Sequence, residues 1–150
     1  MGVSLEPHEI DEYMLAMPRA ILCVARPDKA PLALPMWFSW IDGKIYMSTG
    51  LASKKVRNIR DQPLVSCLVE SGEAYYTLKS VLLIGHCEVI DDQKTVRAEM
   101  ARMATAKPLY DELRPKELPA HLERFYEQDR ALLIVTPHSI TTWDFAKIRV

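Results

Sequence analysis

The chain has 150 residues, of which 49% are hydrophobic and 26% are charged. This length and mixture predict a single globular domain, residues 1–150, that needs neither metals nor disulfides for stability. Lysines and arginines number 19 against 20 aspartates and glutamates, so the net charge is −1. A broadly basic surface of the kind that binds nucleic acid is therefore not expected.

The cysteines and the start of the chain bear on the cellular compartment. Cys23, Cys67 and Cys87 lie far apart and form no CxxC pair. An odd number of cysteines and an acidic start without an apolar signal-peptide segment predict a protein of the reducing cytoplasm. No apolar run approaches the roughly 18 residues of a membrane span, so no membrane partner is expected.

In chain order, the first predicted element is an amphipathic helix, because apolar residues recur at helical spacing over roughly residues 7–17. Two strands follow around a turn at Arg26–Lys29. Asp42-Gly43, a pair that tolerates positive φ, then predicts a tight hairpin turn into a third strand. A short helix is predicted from Ser53 to about Arg60.

Strand patterns return in the second half of the chain, at residues 63–70 and 80–91. Gly85, inside the longer of these two strands, indicates a bulge or a close approach of another backbone. Residues 131–145 are predicted to form one long final strand, or two strands broken near Pro137.

Two further helices are predicted between these strands, one around residues 96–103 and one beginning near Leu118 or Pro119. The proline-broken segment that joins them, residues 107–119, is expected to be a surface connection. Because short turns between successive strands favour antiparallel pairing, about six strands with helices outside predict a mainly β fold, a small closed or partly open barrel.

A cluster of cations occupies the predicted short helix: Lys54, Lys55, Arg57 and Arg60. At about 100° per residue, Val56 and Ile59 face one way. Lys54, Arg57 and Asn58 face roughly the opposite way. The cluster is therefore either a solvated helix face or one side of an anion site.

Hydroxyl groups directly before this helix favour the anion site. Ser48, Thr49 and Ser53 supply them. The free N–H groups and the positive dipole end of a helix N-terminus also favour an anion. Hydroxyls, free amides and two lysines together predict a phosphate site, although the Gly-rich spacing of a P-loop is missing.

The tryptophans offer flat surfaces near this site. Trp37 and Trp40 lie one hairpin away from the cations, and Trp143 lies in the final strand. Each is either a core residue or a face against which a planar ligand packs. The histidines show no HExxH or other metal-ligand spacing, so no metal site is predicted. These patterns alone name no reaction.

Two segments, residues 33–73 and 75–92, together resemble the pyridoxamine 5′-phosphate oxidase-like family of FMN-binding split β-barrels. They contain, in order, P-x-W-F, a D-G hairpin, a strand ending in S-T, S-x-K, N-x-R-x-x-P-x-V and G-x-C-E-V. With the final "TTWDF", the resemblance covers most of residues 18–148. It implies a six-stranded antiparallel split β-barrel with Greek-key character and flanking helices.

The same resemblance implies a homodimer with FMN at the subunit interface. The residues that would hold the phosphate end are Ser48, Thr49, Ser53, Lys54 and Lys55, with Arg57 and Asn58 completing the set on the helix. The strand from Leu34 to Trp37, including Pro35 and Met36, would run along the isoalloxazine ring.

Further contacts are implied from the partner subunit and the C-terminal strand. Lys79 and Ser80 fall where relatives contact the flavin of the other subunit, although many relatives have Arg-Gly or Arg-Gln there. Trp143, Lys147 and Arg149 fall where the last strand closes the pocket.

The expected function is a flavin-dependent oxidoreductase that transfers a hydride or electrons to or from a small organic substrate. No catalytic residue is assigned, because in such enzymes the cofactor carries the hydride. The alternatives are a reductase that uses the deazaflavin F420, whose longer anionic tail would suit Arg57 and Arg60, and a non-catalytic binder of flavin or haem. The ending "KIRV" differs from the "RL" motif of enzymes that oxidise vitamin B6.

Overall fold

Antiparallel strands form one curled sheet in the computed structural model of the chain, which describes residues 2–114 and 116–148. Within those residues the sheet has seven strands: β1 (Arg19–Val24), β2 (Leu32–Trp37), β3 (Ser39–Ile41), β4 (Lys44–Gly50), β5 (Leu64–Ser71), β6 (Lys79–Ile90) and β7 (Arg130–Asp144). Their spatial order is β2-β1-β5-β6-β7-β4-β3. Every neighbouring pair is antiparallel, as the short turns predict.

The second of the six predicted strands is divided at Phe38 into β2 and β3. These two strands stand at opposite ends of the sheet order, although a single residue joins them along the chain. The sheet must therefore curl until its two outer strands meet at Phe38. This geometry confirms the predicted mainly β split barrel with flanking helices.

Alternating side chains fill the inside of the curl. In β1 the buried positions are Ala20, Leu22 and Val24, and β5 follows the same period of two. This alternation is the pattern of a strand with one face against the core. The fully buried Phe38 and Met14 extend the core towards the first helix.

Gly85 lies at an irregularity of the β6–β7 pairing, as predicted. The register between the two strands shifts between Ile84 and Gly85. A Cβ atom at position 85 would overlap the backbone carbonyl of Thr136. A residue without a side chain is therefore required where the two strands approach most closely.

The helices lie outside the sheet. They are α1 (Pro7–Ala16), α2 (Lys54–Asp61), α3 (Gln93–Ala106), α4 (Leu109–Leu113) and α5 (Ala120–Glu127), with 3-10 turns at Tyr75–Thr77 and Phe145–Lys147. In α2, Val56 and Ile59 are buried, as the helical spacing predicts. Asp92 caps α3 by accepting a hydrogen bond from Thr95 N at 3.0 Å. No helix in the described part of the chain is long and apolar enough to cross a membrane.

The prediction that residues 107–119 are a surface connection is wrong for their first part. Lys107 is 0% exposed and Tyr110, in α4, is 4% exposed. Both side chains reach the backbone of Phe38, at the junction of β2 and β3. Because these are polar contacts to a distant backbone, no apolar period in the sequence indicates them.

Candidate cofactor site

A cavity of about 680 Å³ lies between β2, the end of β4 and the helices α3 and α4. We call it the main cavity. Its walls differ in chemistry, since the β4 wall carries hydroxyls and cations and the helical wall is mostly apolar. No acidic residue among those described lines it, although the whole chain is slightly acidic.

The β4 wall of the main cavity holds two pairs of a cation and a hydroxyl. Lys55 Nζ donates to Thr49 Oγ1 at 2.7 Å. Arg130 Nε donates to Ser48 Oγ at 3.1 Å. Ser48 and Thr49 end β4, Arg130 begins the paired strand β7, and Lys55 lies in the first turn of α2. Three elements thus converge on one small polar surface.

The electrostatics of this wall favour an anion. Burial lowers the pKa of Lys55 from its ordinary value, and the nearby charge of Arg130 lowers it further. Two half-buried cations close to each other repel when both are charged. A bound phosphate would remove that repulsion through charge-assisted hydrogen bonds.

The helical wall is mostly apolar. Met100, Met103 and Ala104 of α3 line it, and Leu118 continues it. Ser48 Oγ lies 3.5 Å from the sulfur of Met100, so this wall directly adjoins the polar one. The cavity therefore suits a ligand with an anionic part and an apolar, ring-like part.

Trp37 provides a flat surface in the main cavity. Its ring stacks on Tyr110 with centroids 4.3 Å apart and planes 5° apart. The Trp37 side chain remains 40% exposed. Trp40 behaves differently, because it is buried and its Nε1 donates to Asp11 Oδ1 at 2.7 Å. Of this pair, Trp37 adjoins the cavity and Trp40 belongs to the core.

Two side chains hold the backbone of Phe38 beside the cavity. Phe38 N donates to Tyr110 Oη at 2.6 Å, and Lys107 Nζ donates to Phe38 O at 3.1 Å. The Tyr110 hydroxyl also approaches Pro18 O at 2.9 Å. Lys107 Nζ lies 3.4 Å from the centre of the Phe38 ring. We call this arrangement the Phe38 clamp.

Burial shifts both titratable groups of the clamp. It lowers the pKa of Lys107 to about 7, and no acidic residue in the described part of the chain pairs with that amine. It raises the pKa of Tyr110 to about 12. Tyr110 is therefore a neutral phenol at physiological pH, and its hydroxyl is engaged with backbone groups.

Replacing Tyr110 with phenylalanine is expected to lower the free energy of unfolding by about 1–2 kcal/mol, because the buried Phe38 N–H loses its acceptor. Urea unfolding of the cofactor-free protein measures the change. Tyr75→Phe is the matched control, since Tyr75 is 64% exposed. Equal midpoints for the two variants would contradict a stabilising role for the Tyr110 hydroxyl.

A second, shallower space of about 260 Å³ lies at the start of α2 and along its outer side. We call it the outer depression, and Ser53, Arg57 and Arg60 line it. Ser53 Oγ is buried there and has no hydrogen-bond partner among the described residues. Arg60 forms an ion pair with Asp91 at 2.7 Å. Arg57 forms no ion pair with a described residue.

The predicted binding residues fall into three groups. Those that line the main cavity are Pro35, Met36, Trp37, Ser48, Thr49 and Lys55. Ser53 and Arg57 line the outer depression instead. Lys54 and Asn58 line neither space, and Lys54 is exposed.

Lys79, Ser80 and Trp143 are not brought to the main cavity within one protomer. They lie at one end of the paired strands β6 and β7, where Lys79 pairs with Asp144. The main cavity lies near the other end, where Ile90 pairs with Leu132. The two ends are roughly 36 Å apart along the strand, at about 3.3 Å per residue.

Local contacts occupy this distant end. Lys79 Nζ lies 4.9 Å from the centre of the Tyr13 ring. Ser80 is buried, and its Oγ has no partner in the described part of the chain. Lys147 Nζ binds Glu9 Oε1 at 2.6 Å and so contacts α1 rather than the cavity. Arg149 lies outside the described residues.

Sequence reasoning missed three polar residues of the main cavity, namely Tyr110, Arg114 and Arg130. Arg130 directly precedes an apolar strand, and its position opposite the end of β4 depends on strand pairing. Tyr110 and Arg114 belong to the segment expected to be a surface connection. Arg130 carries the clearest sequence signal of the three, because it directly precedes the strand predicted over residues 131–145.

The fold and the cavity together define a split β-barrel with one wall of cations and hydroxyls. A model of the pyridoxamine 5′-phosphate oxidase family matches residues 7–144. The chain therefore belongs to the pyridoxamine 5′-phosphate oxidase family, as its motifs predict. No curated protein matches the chain significantly.

Solved structures share the fold over nearly the whole chain. A conserved hypothetical protein from Mycobacterium tuberculosis is 23% identical with a TM-score of 0.76, covering 99% of this chain and 93% of that one. An FAD-binding protein from Mesorhizobium loti is 18% identical with a TM-score of 0.67, covering 93% and 94%. An F420 reductase is 25% identical with a TM-score of 0.63, covering 87% and 94%.

Proposed function

We propose that this protein is a cytoplasmic flavin-dependent oxidoreductase that binds FMN in the main cavity. The observation that carries the proposal is the β4 wall, where Lys55 and Arg130 bind the hydroxyls of Thr49 and Ser48 in a cavity without a described acidic residue. Membership of the family supports the same cofactor class. The three unpaired cysteines suit a reducing compartment.

The residues of the cavity fit the parts of FMN. Lys55 and Arg130 would bind the phosphate, with Ser48 and Thr49 as further hydrogen-bonding groups. The strand from Leu34 to Trp37 would run along the ring system mostly through its backbone atoms, which leaves the exposed face of the Trp37 side chain open. When bound, the flavin supplies hydride or electron transfer.

The chain's own residues then bind, orient and exclude water. Met100, Met103 and Leu118 provide an apolar cover that keeps water from a bound ring. The Phe38 clamp fixes the end of β2, and so the strand against which the ring would lie. No general acid or base is needed from these residues, and the Tyr110 hydroxyl is already bound to backbone groups.

We expect the protein to be a homodimer. Lys79 and Trp143 lie far from the main cavity of their own protomer and are partly exposed, so they are available to the cavity of a second copy. Ile84 and Ile140, both exposed, lie close together on the paired strands β6 and β7. Light scattering is expected to give twice the mass of the chain. A monomer mass for the cofactor-loaded protein would contradict this prediction.

F420 is the second candidate cofactor, and the outer depression favours it. Arg57 and the buried Ser53 Oγ lie on the side of α2 away from the main cavity. A cofactor with a longer anionic tail could occupy both the main cavity and the outer depression. The single phosphate of FMN would occupy the main cavity alone. The likeness to an F420 reductase at 25% identity supports testing it.

The deciding experiment is the absorbance spectrum of the purified protein, followed by titration with FMN and with F420. Saturable binding of FMN supports the proposal. If F420 binds more tightly than FMN in competition, F420 is the cofactor instead. A haem Soret band, or no binding of either cofactor at micromolar concentration, would refute it. Turnover of a reductant by the loaded protein would separate an oxidoreductase from a non-catalytic binder.

A further inference from the structure

Arg114 is a cation of the main cavity that the proposed phosphate site does not use. It follows α4, and its backbone N–H donates to Tyr110 O at 2.9 Å. Its guanidinium forms no ion pair with any residue that the structure describes. We propose that Arg114 selects a substrate that is planar and carries a carboxylate. This inference rests on the proposed function, because it names the substrate class of the same cavity.

The first support is the separation of the cations between two walls. Lys55 and Arg130 are hydrogen-bonded to hydroxyls of β4. Arg114 instead lies beside Tyr110 on the helical side, where its charge opposes the rise in the pKa of that phenol. One cofactor phosphate would satisfy the β4 pair. Arg114 would remain available to a second anion.

The second support is the fixed aromatic surface next to Arg114. Tyr110 covers one face of the Trp37 ring, with centroids 4.3 Å apart. The Phe38 clamp holds Tyr110 in place through its hydroxyl. Since Trp37 is still 40% exposed, an immobile aromatic surface faces the space that a substrate would enter. Such a surface favours a planar ligand, because offset stacking adds to apolar burial.

The third support is the chemistry of the guanidinium group. Its planar fork of donors matches a carboxylate in two parallel hydrogen bonds. No acidic residue in the described part of the cavity competes for it. A flat ring on Trp37 with a carboxylate towards Arg114 therefore satisfies both features at once.

The test compares two probes with the same ring, 2-naphthoate and 2-naphthamide, on the FMN-loaded protein by calorimetry. The naphthoate is expected to bind at least tenfold more tightly than the uncharged amide. In Arg114→Gln the two affinities should differ by less than twofold, while the affinity for FMN stays unchanged. Arg97→Gln, which changes an exposed arginine of α3 outside the cavity, should keep the tenfold preference.

A second variant tests the aromatic surface. Trp37→Ala should weaken both probes by a similar factor, because stacking does not depend on the charge of the carboxylate. Equal affinity of the wild type for the two probes, no binding of either, or a preference that survives in Arg114→Gln would overturn the proposal.

Failure of the proposed function is recognised separately. If the wild type binds no flavin, the same probes are titrated into the cofactor-free protein, since Trp37 and Arg114 belong to the chain itself. A charge preference lost in Arg114→Gln would then uphold the carboxylate site without the oxidoreductase. No preference would reject both.

Discussion

Replacing Lys55 with alanine is expected to raise the dissociation constant for FMN by about 10- to 150-fold. The change corresponds to about 1.5–3 kcal/mol, the range for a hydrogen bond to a charged group. Lys55 is half-buried and already oriented by Thr49 Oγ1 at 2.7 Å, so little side-chain freedom is lost when an anion binds. Quenching of flavin fluorescence during titration measures the constant.

Lys54→Ala is the matched control, because it removes the same charge one residue away. Lys54 is exposed and lines neither the main cavity nor the outer depression. Its loss should change FMN affinity by less than about threefold, the effect of a screened surface charge. If the two variants bind FMN equally well, the cations of α2 act only through their combined charge. The specific role of Lys55 is then refuted.

Replacing Lys107 with methionine is expected to change how stability depends on pH. The folded pKa of Lys107 is about 7, whereas an unfolded lysine has a pKa of about 10.4. Between these values the unfolded chain binds a proton that the folded chain does not. Raising the pH therefore stabilises the wild type through this group, and Lys107→Met loses that gain.

The free energy of unfolding of Lys107→Met is expected to exceed that of the wild type at pH 7. Between pH 7 and 9.5 this difference shrinks by about 2–3 kcal/mol. Below pH 7 Lys107 is charged in the folded wild type, and burial of this charge lowers the free energy of unfolding by its full amount. The methionine variant lacks this charge, so its stability relative to the wild type is greatest there. At pH 9.5 Tyr110 stays neutral in the folded protein, because burial raises its pKa to about 12. Urea unfolding of the cofactor-free protein at both pH values gives the four free energies.

Lys94→Met serves as the control for this experiment, because Lys94 is an exposed residue of α3. It should leave the pH dependence of the wild type unchanged. Parallel pH profiles for wild type and Lys107→Met would show that the amine is solvated in the folded protein, and would contradict its burial beside Phe38.

The strands could be predicted because their physical causes are local. Alternating burial in β1 and β5 follows from a period of two in the sequence. Asp42 and Gly43 both adopt positive φ at the tight turn. The curl of the sheet, by contrast, depends on how Phe38 redirects the chain, and a single buried aromatic residue in an apolar run carries no signal of a bend.

The candidate site could be predicted where its residues follow one another in sequence. Ser48, Thr49 and Lys55 lie within one strand and helix, so their convergence needs no knowledge of distant contacts. Arg130 reaches them through strand pairing, and Arg114 through the packing of α4. The sequence therefore indicates the wall of cations and hydroxyls, but not the opposite wall that contains Tyr110 and Arg114.

β2 is an outer strand of the sheet, paired on one side with β1. A strand with an unpaired edge can recruit the edge of another chain and start aggregation. Pro35 lacks an N–H group in the middle of this strand, and Trp37 adds a bulky ring two residues later, both of which hinder such pairing. Pro35 and Trp37 thus allow β2 to keep an unpaired edge beside the main cavity while hindering another chain from pairing with that edge.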